Sequence, residues 1–141
     1  MTRKRCNRQI RPASAPMLVS RTETIETSEL MIVEAFAGGW ATTWHFDALV
    51  DMRNAMTIAQ AYRADESAKT ICEAMRAPLA AMRERYAKTK RMGVTGDELQ
   101  LLRVFVDYYR DFWLRRPLAL YQAVCNEVGD FNMGEKERNV A

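Results

Sequence analysis

His45 is the sole histidine of this 141-residue chain, in the run Trp44-His45-Phe46-Asp47, and it is the first place to look for chemistry. An imidazole near a carboxylate can serve as a general base, or it can ligate a metal. Side chains two residues apart leave a helix on different faces, however, so Asp47 is poorly placed to orient it. No second histidine shares a metal, and no Glu-x-x-His pair suits a di-iron bundle. Cys6, Cys72 and Cys125 are odd in number and far apart, so neither a disulfide framework nor a zinc site is expected. Cys72 and Cys125 fall on apolar helix faces and are expected as buried thiols. Asp107 and Asp111 stand one turn apart beside Arg103 and Arg110, which reads as a solvated, salt-bridged stripe. Gly38-Gly39 and the Gly93/Gly96 pair lack the spacing and the Lys-Ser/Thr of a phosphate loop, and no nucleophile elbow is present. The expectation is a non-enzyme with no catalytic residue, no metal and no cofactor.

Binding is carried by other residues. The chain holds 21 basic and 18 acidic side chains, and five of the basic ones (Arg3, Lys4, Arg5, Arg8 and Arg11) stand in the first 11 residues with no acid among them. The remaining 16 basic residues are outnumbered by the acids, so the positive charge belongs to the leading segment and the body is slightly acidic. Such arms bind phosphate backbones by counterion release, and they also dock into acidic protein grooves. Trp40 and Trp44 are either core residues or contact anchors, because tryptophan is over-represented in binding hot spots. Arg83, Arg85, Lys88, Lys90 and Arg91 are candidate phosphate-binding residues if they face the arm; otherwise they form a wet helix face partly offset by Glu73 and Glu84.

The elements that position these residues are helical. Residues 97–115 set Leu99, Leu102, Phe105, Tyr109 and Phe112 at steps of three and four, the pattern of a central bundle helix. Thr95 and Glu98 make a capping box at its start. Residues 1–20, with Pro12 and Pro16, read as an extended basic arm. Within 22–37, the stretch 29–37 reads as a short helix running from a Ser28 cap to a left-handed Gly38, after a strand-like or extended lead-in. A helix follows from Trp40 to about Arg63. Asp65 caps the next one, which bears Pro78 inside it and is expected to kink there. Arg116-Pro117 ends the central helix. A last short helix is closed by Gly129, and 130–141 forms a polar tail. The expected architecture is all-α: a four- to five-helix bundle over 21–129, with the arm before it and the tail after it. The longest apolar runs fall far short of the ~20 residues that span a bilayer, and no secretory signal stands at the start, so a cytoplasmic protein is expected. The generous apolar faces are compatible with a homodimer.

In this layout (the arm RKRCNRQIRPASAP, the helix FDALVDMRNAM, then TGDELQLLRVFVDYYRDFW and one terminal helix) the chain resembles small helical accessory proteins of proteobacterial prophages and plasmids, a class that includes anti-CRISPR proteins. The resemblance implies a factor in a bacterial host that binds a host protein or ribonucleoprotein complex stoichiometrically and blocks it, with no functional residue to carry over. The alternative is a small nucleic-acid-binding regulator that uses the arm.

Overall fold

Why the chain folds into helices is plainest where apolar residues recur with helical spacing, and the computed structural model, which describes residues 19–140, is helical throughout those stretches. Side chains are described for residues 29–130 and for Asn132. The arm residues Arg3, Lys4, Arg5, Arg8 and Arg11 lie outside the described residues. Among the described residues six helices follow one another: α1 (Val19–Gly38), α2 (Thr43–Tyr62), α3 (Glu66–Ala74), α4 (Arg76–Thr89), α5 (Gly96–Leu114) and α6 (Leu118–Val140). Among the described residues no strand occurs, and the fold is an all-α bundle. Helix α1 packs on α5 and α2, α2 packs on α3 and α6, and α3 reaches α4 and α5.

Helix α5 begins at the expected capping box: Thr95 Oγ1 accepts the Glu98 amide at 3.2 Å, and Glu98 reaches back to the Thr95 amide. It buries Leu102, Phe105, Val106, Tyr109, Phe112 and Trp113. Helix α2 contributes as much, with Phe46, Leu49, Met52, Ala55, Met56 and Ala59 buried, whereas Tyr62 at the end of its stripe is exposed. Met52, Met56, Met75, Met82 and Met92 are all in the core, where their unbranched side chains fill the irregular space between short helices.

Several local expectations are corrected. The extended lead-in expected before residue 29 is the first part of α1, which starts at Val19 and needs no cap at Ser28. The left-handed residue after α1 is Gly39 (φ 75°) rather than Gly38. Trp40 lies outside α2, which starts at Thr43. The long Pro78 helix divides at Met75, which puts Pro78 in the first turn of α4, where an amide has no helical partner to lose. That division is why six helices stand among the described residues where four to five were expected. Gly129 does not close α6, which runs on to Val140, so residues 130–140 are helix rather than tail. Cys72 is buried as expected; Cys125 is exposed. Arg103, Asp107, Arg110 and Asp111 make no ion pair among the described residues, so their stripe is solvated only.

Asp65 joins the start of α3 to the corner that follows α5. Its carboxylate accepts the Ala68 amide at 3.0 Å as the N-cap of α3, and it receives Arg116 Nη2 at 2.8 Å from the far end of α5. Arg116 also donates to the Phe112 carbonyl at 2.6 Å and lies 3.3 Å from the centre of the Phe112 ring. The Ala68 amide, aided by the Arg116 charge, holds the Asp65 carboxyl below the ordinary carboxylate value despite partial burial. A carboxyl whose pKa is lowered by folding adds stability that is present above its unfolded value and lost as pH falls through the folded one. Asp65→Ala is therefore expected to cost about 1–2 kcal/mol at neutral pH. It should also flatten the stability profile below about pH 4, as followed by urea denaturation at stepped pH.

Candidate functional site

The site is built where α1 gives way to α2. The Gly39 amide donates to the Phe36 carbonyl at 3.3 Å, and the Trp40 amide to the Ala35 carbonyl at 3.0 Å. This double return is the Schellman ending, and it requires the positive φ that glycine takes without penalty. It sets Trp40 directly beyond the end of α1. Thr42 then caps α2, and its amide donates to His45 Nδ1 at 3.0 Å, with Thr42 Oγ1 3.1 Å from the same nitrogen. Nδ1 is therefore an acceptor, and the ring proton sits on Nε2.

His45 is buried between the two tryptophans, which meet it edge-on: the Trp40 ring centre lies 5.4 Å away at 88°, and the Trp44 ring centre 5.1 Å away at 89°. Trp40 is nonetheless 54% exposed and Trp44 62% exposed. Of the two readings open to these tryptophans in the sequence, the core reading is excluded. His45 is a capping and stacking residue here, and Asp47 is exposed and does not partner it. Among the described residues no three His, Cys, Asp or Glu side chains gather as a metal set.

Gly38 belongs to the same device. A β-carbon at Gly38 would stand 2.7 Å from both Cδ1 and Nε1 of the Trp40 indole, closer than such contacts occur. Gly38→Ala is expected to push the indole off His45 while leaving the helix end formed. The measurement is a change in tryptophan emission and in the Trp40 indole amide resonance, with little change in helicity.

At the α1–α2 turn lies an open cavity of about 490 Å³, walled on one side by Ala41, Thr42 and Thr43 and on the other by Tyr86, Lys90 and Arg91. Lys90 is left-handed (φ 56°) at the end of α4, and its Nζ lies 5.8 Å from the centre of the Tyr86 ring. The structure thus brings two of the candidate phosphate-binding residues, Lys90 and Arg91, to a cavity shared with the α1–α2 turn. The others are dispersed. Arg85 is held internally, donating to the Gly93 carbonyl at 2.9 Å and to both carboxylate oxygens of Glu98. Lys88 is exposed on α4, and Arg83 lies over the Phe46 ring, 5.7 Å from its centre, beside a different cavity. The five do not make one continuous face.

A further cavity, about 550 Å³, lies between α2 and the α5–α6 corner, lined by Arg63, Asp65, Tyr108, Asp111, Arg115 and Arg116 among others. Its three arginines face two carboxylates, Asp65 and Asp111, and Arg116 and Asp65 are occupied with each other as described above.

No protein-family model, curated protein or solved structure matches the chain. Among the described residues no helix is long and apolar enough to cross a membrane.

Proposed function

We propose that the protein is a non-enzymatic binding protein that associates stoichiometrically with a macromolecular complex of its host, with Trp40 and Trp44 as the anchors of the contact. The observation that carries this reading is the exposure of both indoles on a rigid mount made by the Schellman turn, the Thr42 cap and the His45 ring. Large aromatic side chains already ordered before binding lose little entropy on contact, which is why they dominate interface energetics. The basic arm supplies a second, electrostatic attachment, and interference with the bound complex, as the resemblance implies, is the expected consequence.

Nucleic-acid binding is the second reading. It is favoured by one feature: Lys90 and Arg91 line a cavity with Gly39, Ala41 and Thr43, the chain neighbours of the two tryptophans, and exposed rings and cations on one face are the chemistry of single-strand binding. The two readings part in one experiment. The full chain is used to capture its partner from bacterial lysate with and without nuclease, alongside a chain lacking residues 1–11. A protein complex that survives nuclease supports the first reading. Loss of the partner on nuclease treatment, with direct binding to oligonucleotides that falls steeply with salt, replaces it with the second.

A further inference from the structure

A second cationic feature, separate from the tryptophan pair and from the cavity at the α1–α2 turn, lies where α2 meets α4. A cavity of about 170 Å³ is lined by Phe46, Val50 and Arg53 of α2 and by Arg76, Leu79, Ala80 and Arg83 of α4. Three of these seven residues are arginines, and no carboxylate is among them. Among the described residues neither ion pair involves Arg53, Arg76 or Arg83, so no carboxylate holds any of the three in a close ion pair.

Two of the three are held in place. Arg53 donates Nε to the Cys72 carbonyl at 2.8 Å, which fixes the guanidinium while leaving its terminal nitrogens uncommitted. Arg83 rests over the Phe46 ring. Arg76 opens α4, whose first turn carries no acid. A solvated helix face would intersperse acids; here α2 and α4 converge three like charges over an apolar floor.

Like charges gathered in this way repel unless an anion joins them. A phosphomonoester carries about −1.5 to −2 near pH 7 and three acceptor oxygens, which suits several guanidinium forks better than a single carboxylate does. The cavity is small and concave with Phe46, Val50 and Leu79 beneath, which favours an end group with an apolar or aromatic neighbour over a backbone running past. We propose that Arg53, Arg76 and Arg83 form a binding site for the terminal phosphate of a small phosphomonoester, whose apolar portion lies on Phe46, Val50 and Leu79.

The test uses the full chain with inorganic phosphate and with phenyl phosphate as probes, at fixed ionic strength set with chloride. Both probes are expected to raise the melting temperature saturably, as any ligand of the native state does, and phenyl phosphate is expected to bind more tightly. Arg76→Gln alters only an exposed charge and is expected to weaken binding about tenfold or more, with the unliganded melting temperature unchanged or raised. Arg76→Lys should recover part of the loss, and Trp40→Ala with Trp44→Ala should leave it untouched. An oligonucleotide without terminal phosphates should not compete. The site is refuted if phosphate gives no saturable response, or if Arg76→Gln and Arg83→Gln both bind as the parent does. Equal competition by the oligonucleotide refutes it too, because the cations would then serve a phosphodiester backbone.

Discussion

Replacing Trp113 by alanine is expected to lower the unfolding free energy by about 3–5 kcal/mol, the largest loss from any single truncation in the chain. Trp113 is 1% exposed near the end of α5. Its ring centre lies 6.2 Å from Tyr109, 5.0 Å from Phe112 and 5.0 Å from Tyr121, each in an edge-on arrangement. The Tyr121 contact joins α5 to α6 across the Pro117 corner, so truncation both opens a void and uncouples two helices. Domains of this kind have about 5–15 kcal/mol of stability in all, so the variant stands near the edge of folding. The melting temperature should fall on the order of 10–20 °C. Leu114→Ala, one residue on and 39% exposed, is the control, with an expected change within about 0.5–1 kcal/mol. A Trp113 variant as stable as that control would mean that the α5–α6 corner is not a packed joint.

The contrast between Trp113 and the Trp40/Trp44 pair marks how far the sequence can be read. Trp113 sits in a helix whose apolar period runs unbroken for several turns, so its burial follows from its neighbours. Trp40 and Trp44 stand at a boundary, where no periodicity says which way a ring points. Their exposure is set by a Schellman turn and a histidine cap that exist only once α1 and α2 have formed. The alternation of Thr, Glu and Ile over 22–27 suits a strand as well as a helix, and continuity with the buried face of α1 (Ile32, Val33, Phe36) decided for helix. At Gly129 the surroundings are open, and a lone glycine costs a helix only about 1 kcal/mol, too little to stop α6.

Cations show the same limit. Arg85 looks like a member of the basic run but is paired with Glu98, 13 residues away, a partner that helical spacing does not reveal. Arg53 does not stand out in the sequence because its companions Arg76 and Arg83 lie on another helix. One signal for them was present: Phe46, Val50 and Arg53, like Arg76, Leu79, Ala80 and Arg83, follow steps of three and four that mix arginine into an otherwise apolar stripe. An arginine on such a stripe sits at the margin of a buried face, and two margins meet wherever two helices pack.

Truncating both Trp40 and Trp44 to alanine is the largest expected effect on binding. Hot-spot tryptophans typically contribute 2 kcal/mol or more each, so the double variant should bind the captured partner at least about a hundredfold more weakly. Both rings are more than half exposed, so the melting temperature should move by only a few degrees. His45→Ala separates the mount from the anchors: it removes the Thr42 amide's acceptor, with an expected stability loss of about 1 kcal/mol. It also frees both indoles to turn, so affinity should fall by less than in the double variant, chiefly through faster dissociation. Gly38→Ala should follow the same pattern through Trp40 alone. Affinities are read by titration calorimetry against the isolated partner, and dissociation rates by surface-immobilised kinetics. Undiminished affinity in a folded double variant would move the contact away from the α1–α2 junction. A loss in His45→Ala as large as in the double variant would instead make the histidine itself a contact residue. What distinguishes an anchored contact from a merely apolar surface is therefore the order of the three variants, with the mount always costing less than the rings it holds.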